Sequence, residues 1–221
     1  MAITFLQQNG YDDDVGVTST QSPPFGNPNT AGSLLVAYVG YTGNGSTITL
    51  SDSQGNTWQS CAARADANGS GLAMQLFYAT NVIAGTNSVT ATFSSAVDYP
   101  SLYVSEYAGA ALSAPLDGAA TATVVSSTPT AGPITTTGAD LVVCGIYAYA
   151  VISSAGAGFT SRRNAGGSGL EDLIQTSAGS VSGSWTMSGA AQACALQVAA
   201  FKPAATGLAT PRRLLLLGCG A

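Results

Sequence analysis

The sequence predicts an all-β protein, an antiparallel β-sandwich of jelly-roll type, on three observations. Short apolar or alternating runs, about a dozen of them, recur at regular spacing between Gly- and Asn-containing turns. No stretch carries the apolar period of a helix. Charged residues make up 8% of the chain and hydrophobic ones 46%, where about 25% charged is usual. Ala, Gly, Ser and Thr stand in for the missing charges. That composition suits strands with a neutral, hydroxyl-covered outer face and supplies a sizeable core.

Taken in order, Ala2 to Gln7 is a short strand, Gly10 to Asp14 an acidic turn, and Val15 to Thr20 an alternating strand. Ser22 to Pro28 holds three prolines and reads as a stiff loop. Leu34 to Tyr41 is almost continuously apolar, β-branched and aromatic, which predicts a strand buried on both faces. Gly43-Asn44-Gly45 is a turn, Thr47 to Leu50 alternates as a half-buried strand does, and Ser51 to Asn56 turns again before Trp58. Leu72 to Ala79 and Val89 to Phe93 are strands, Tyr99-Pro100 breaks the chain, and Ser101 to Tyr107 resumes it. Thr121 to Ser126, Leu141 to Val151, Leu170 to Thr176, Val181 to Met187 and Ala193 to Phe201 complete the set.

The chain also resembles itself. A shift of 107 positions lays Leu34-Leu35-Val36 on Leu141-Val142-Val143, and one of 94 lays Leu102, Val104 and Tyr107 on Leu196, Val198 and Phe201. Residues 1–203 are therefore expected to form one sandwich with pseudo-repeated halves, about 1–109 and 116–203. Pro115 to Ser127 reads as a continuing strand rather than a linker. Residues 204–221 leave this pattern: an Ala/Thr/Pro segment precedes Arg212, Arg213, Leu214, Leu215, Leu216 and Leu217. Burying one leucine is worth about 1.5–3 kcal/mol. This extended tail is expected to dock on a neighbouring subunit, with those six residues making the contact.

Several function classes are excluded. The net charge is −5, and Lys202 is the single lysine, so the basic footprint of a nucleic-acid binder is missing. No apolar run approaches the length of a membrane helix, and the first residues do not read as a secretory leader. The chain has no histidine, which removes Ser-His-Asp catalysis. Cys61, Cys144, Cys194 and Cys219 form no CxxC pair and read as free thiols, since a disulfide needs an oxidising compartment. The only glutamates, Glu106 and Glu171, read as carboxylates at strand edges or barrel ends. Asp12 to Asp14, and Asp52 with Asn56, offer oxygens of the kind calcium takes, but the EF-hand spacing is absent and both types form turns. No catalytic, cofactor or metal residue is assigned. The aromatics remain: Tyr11, Tyr41, Trp58, Tyr99, Tyr147, Tyr149 and Trp185 are of the type that stacks on a sugar. Trp185 alternates with core residues, whereas Trp58 and Tyr99 flank turns and are the candidate stacking surface for a glycan.

The order GSLLVAYVGY, SDSQGNTW, LFYATNVIAGTNSVTATFS, YPSLYVSEYAG, PLD, TTTGADLVV, AGAGFTSR and a closing strand ending Ala200-Phe201 resembles a β-sandwich module of bacterial surface proteins and bacteriophage virion proteins. The resemblance covers about residues 30–203 and brings no catalytic residue. With the tail, it implies a non-enzymatic structural protein of a phage particle. This would be a capsid decoration or cement protein, or a tail-associated one, made in the host cytoplasm and carried on the virion surface. It would form homo-oligomers and dock on a major capsid or tail protein. The alternative is a carbohydrate-binding or adhesion module of a bacterial surface protein, extracellular and bound to a cell-surface glycan.

Overall fold

A computed structural model describes residues 2–43, 45–67 and 69–205. Every regular element among them is a strand. The first half comprises β1 (Thr4–Asp12), β2 (Val17–Gln21), β3 (Leu34–Thr42), β4 (Ile48–Asp52), β5 (Gln59–Ser60), β6 (Ala65–Ala67), β7 (Leu72–Ala79) and β8 (Val89–Ala108). The second comprises β9 (Leu116–Ser126), β10 (Thr130–Thr136), β11 (Leu141–Ala148), β12 (Ile152–Ala155), β13 (Thr160–Ala165), β14 (Ser168–Ile174), β15 (Gly179–Met187) and β16 (Gln192–Phe201). The predicted antiparallel all-β sandwich is what forms.

The strands build four layers. A large sheet runs β1-β8-β3-β7-β5, with β6 also on β7, and a small one pairs β2 and β4 with the first part of β8. In the second half a five-stranded sheet runs β9-β16-β11-β14-β13 and a three-stranded one β10-β15-β12. The two large sheets pack face to face over a central core, where Tyr38, Met74 and Tyr103 meet Val143, Leu170 and Phe201. Each large sheet carries its small sheet on the other side, over an outer core: Val39, Phe93 and Leu102 in one, Ile146, Trp185 and Leu196 in the other.

This layering explains the continuous apolar runs. Successive side chains of a strand point to opposite faces. Leu34, Val36 and Tyr38 therefore enter the central core while Leu35, Ala37 and Val39 enter the outer one. Likewise Leu141 and Val143 face inward and Val142, Cys144 and Ile146 outward. Gly145 marks the close approach of the sheets: a β-carbon there would lie 2.6 Å from the Tyr38 ring and 2.8 Å from the Met74 methyl.

Polar ties close the central core on both sides. Arg162 Nε donates to Asp172 Oδ2 at 2.7 Å and its guanidinium lies 3.7 Å over the Phe5 ring, while Arg163 Nη2 reaches Asp12 Oδ2 at 3.1 Å. Across the core, Gln197 Oε1 accepts from the Leu76 amide at 2.7 Å and its Nε2 donates to Ala63 O at 2.5 Å. The short segment between β5 and β6 leaves that amide without a ladder partner on its edge, and a buried amide must be satisfied somewhere.

Some boundaries differ from the sequence reading. The acidic turn begins later, because β1 continues to Asp12 opposite Ser101. The break at Tyr99-Pro100 is a corner inside one long strand: β8 pairs with β2 and β4 before it and with β1 after it. β3 pairs with it from Ser101 to Tyr107 and again, past a register shift, at Asp98. β3 and β11 share a direction, as Thr42 lies at Tyr147 and Tyr78, opposite Val36, touches Phe201. The molecule thus has two ends. One holds Ala2, Ile3, Ile174, Pro203 and Ala205 around an apolar cavity of about 470 Å³. The other is a tip of loops carrying the exposed side chains of Val15, Tyr99, Tyr149 and Val151.

Candidate functional site

At the tip, where the halves meet, an open cleft of about 360 Å³ is lined by Asp12, Asp13, Tyr99, Ser101, Tyr147 and Ser168, with backbone of the β13–β14 turn. Tyr99 sits at the β8 corner with φ of 51°, the left-handed region that bulky residues rarely adopt. Hydrogen bonds hold it there. Its amide donates to Asp14 O at 3.1 Å, its carbonyl accepts from the Tyr147 hydroxyl at 2.9 Å, and the Asp13 amide donates to Pro100 O at 2.9 Å. The Tyr99 side chain is left outside, and the residue is 56% exposed.

The cleft floor is polar and organised. The Ser101 and Ser168 hydroxyls lie 2.8 Å apart. Asp12 Oδ1 accepts from the Tyr103 hydroxyl at 2.5 Å and Oδ2 from Arg163, so both its oxygens are engaged. Asp13 Oδ1 accepts from the Asp14 amide at 2.9 Å. Burial pushes the Tyr147 phenol up to about 12 and holds Tyr103 higher still, so both remain neutral hydrogen-bonding groups at ordinary pH.

The two predicted glycan residues are not brought together. Trp58 precedes β5, whose Gln59 pairs with Tyr78 opposite Val36, whereas the corner at Tyr99 adjoins Ser101 opposite Gly40. Trp58 is half-buried against an outer core, and its Nε1 donates to Asp52 Oδ2 at 3.0 Å. Asp52 is taken by its own turn, accepting from the Gln54 and Asn56 amides at 3.0 Å each. No cluster of three or more His, Cys, Asp or Glu that could hold a metal occurs among the described residues. Arg212, Arg213 and Leu214 to Leu217 lie outside the described residues.

Glu106 and Glu171 are not edge carboxylates: both are fully buried. Glu106 ties the loop after β2 to β8. Its Oε2 accepts from Gln7 Nε2 at 2.6 Å and Asn29 Nδ2 at 2.7 Å, and its Oε1 from the Thr30 amide at 2.7 Å and Ser33 Oγ at 2.8 Å. Glu171 lies in the second outer core, taking the Gly156 amide on Oε2 at 2.7 Å while Oε1 has no partner. Burial pushes its carboxyl up to about 8. The neighbouring Cys144 thiol is held well above its ordinary value by burial and then by Glu171. Cys61, Cys144 and Cys194 are free and buried. At the other end, Asp140 is pushed up to about 6 by burial and by Asp117 beside it.

No protein family, curated protein or solved structure matches this chain.

Of the cleft, the sequence pointed to Tyr99 and flagged the Asp12–Asp14 turn. Tyr147 stood out only as one aromatic among several and Ser168 not at all, because only the packing of the large sheets brings them to the corner. The available signal was Tyr-Pro inside a run that is otherwise strand.

Proposed function

We propose that the protein is a non-enzymatic structural module carried on the surface of a bacteriophage particle, as a decoration or tail-associated protein that docks through one end. The observation that carries this reading is the polarity of the molecule. Pro203 and Ala205 lie at the end opposite the loop tip, and residues 206–221, with the predicted contact residues Arg212 to Leu217, follow from there. A tether at one end presents the other end outward. The buried carboxylates support a structural role, since Glu106 is saturated by donors and Glu171 is enclosed. Mass spectrometry of gradient-purified virions should find the chain at high copy. Recovery only as a soluble monomer in the medium, or on a cell envelope, would reject this assignment.

The second reading, a carbohydrate-binding or adhesion module, is favoured by one observation: the cleft beside an outward-facing Tyr99 at the same tip.

A further inference from the structure

We infer that the Tyr99 cleft binds an uncharged saccharide, one or two sugar units of a longer glycan. This deepens the second reading and does not depend on the first. A pyranose has an apolar C–H face and a rim of hydroxyls, so its site needs an accessible aromatic face beside donors and acceptors. The cleft supplies both. Tyr99 provides the ring, and the Ser101–Ser168 hydroxyl pair, with Asp13, provides the polar edge. The volume of about 360 Å³ falls in the range of small-ligand sites, roughly 300–1,000 Å³.

The conformation of Tyr99 argues that its ring is there for a reason outside the fold. A left-handed corner is most easily made by glycine, yet a tyrosine occupies it with its ring largely in water. Its amide and carbonyl are both bonded, so the backbone is fixed and the ring presented from a rigid mount. Charge narrows the ligand class. Asp12 and Asp13 line the cleft, and the nearby Arg163 is already paired with Asp12 at 3.1 Å. Asp14 and Asp98 belong to the adjoining segments, where Asp98 Oδ1 accepts from the Gly16 amide at 2.8 Å. Uronates and sialic acids would meet a net negative rim. Neutral hexoses, pentoses and N-acetylhexosamines would not.

The test is an amide NMR titration of the full chain. The neutral probes are maltohexaose, cellohexaose, xylohexaose, mannohexaose and chitohexaose, with hexagalacturonate as the charged arm. At least one neutral probe should shift the amides of Tyr99, Ser101, Gly167 and Ser168 at concentrations up to about 10 mM, and hexagalacturonate should not. Tyr99→Gly relieves the corner, so it should keep or raise Tm while weakening that binding tenfold or more. Trp58→Phe should leave the affinity unchanged. The inference is overturned if no neutral probe moves those amides, if hexagalacturonate binds as well as the neutral sugars, or if Tyr99→Gly binds like wild type. Because isolated protein is used, that failure is distinct from absence of the chain from particles.

Discussion

Raising the pH from 6 to 8 should destabilise this protein, and one residue should be responsible. Glu171 is fully buried in the second outer core, with one carboxylate oxygen bonded to the Gly156 amide and the other unpartnered. Burial raises its pKa from 4.5 to about 8. In that interval the folded chain keeps a proton that the unfolded chain has released. The folded state binds more protons, so stability falls as pH rises. The full contribution is present below about pH 4.5 and is lost by about pH 8. At about 1.4 kcal/mol per pKa unit, the loss is on the order of 4 kcal/mol. Asp140, raised to about 6 by burial and by Asp117, acts in the same direction but finishes lower. No histidine titrates in the chain. The slope between pH 6 and 8 therefore belongs mainly to Glu171, at roughly 1 kcal/mol per pH unit. Urea unfolding at pH 5, 6, 7 and 8 measures it, with Glu171→Gln beside wild type. The variant keeps the shape and an acceptor for Gly156 but cannot ionise. It should flatten the profile above pH 6 and be the more stable protein at pH 8. A flat wild-type profile, or an equal slope in E171Q, would refute the reasoning.

The two cross-core arginines should differ sharply. Arg162→Ala leaves Asp172, whose side chain is 2% exposed, with the Tyr107 hydroxyl as its remaining partner, and should cost about 3 kcal/mol in denaturant unfolding. Arg163→Ala opens a pair 39% exposed on both sides and should cost under about 1 kcal/mol, so equal costs would contradict the packing described. Gln197→Leu strands the Leu76 amide and should cost about 3 kcal/mol, whereas a neutral result would mean that this tie is not formed. Deleting residues 206–221, outside the described residues, should leave Tm nearly unchanged and abolish assembly. A truncated chain that fails to fold would make the tail part of the fold.

The sequence carried the layering better than the edges. Leu34 to Tyr41 reads as doubly buried because both faces of β3 are covered, and that demand is written locally in every residue. β13 was not legible: Thr160 to Ala165 contains two arginines, and its strand character comes from pairing with β14 and reaching across to Asp172 and Asp12. β10 carries Pro133, which reads as a breaker, yet it lies at the edge of its small sheet, where a missing donor is tolerated. Glu106 was expected at an edge because a strand carboxylate normally faces water. Gln7, Asn29, Thr30 and Ser33, distant in sequence, satisfy it inside. The cleft was half legible for the same reason: Tyr99 and the Asp12 turn are local, but Tyr147 and Ser168 come from the other half.

The most direct measurement of the orientation claim is residue-resolved labelling of intact particles against isolated protein. Lys202, the single lysine, has a side chain 39% exposed beside Asp117, at the end that carries Pro203. Tyr99 and Tyr149, each 56% exposed, stand at the tip. Amine acylation and tyrosine nitration, mapped by peptide mass spectrometry, should modify all three in the isolated chain. On particles, Lys202 should fall silent while Tyr99 and Tyr149 stay reactive. Reactive Lys202 with protected tyrosines would reverse the orientation, and absence of the chain from particles would end the account.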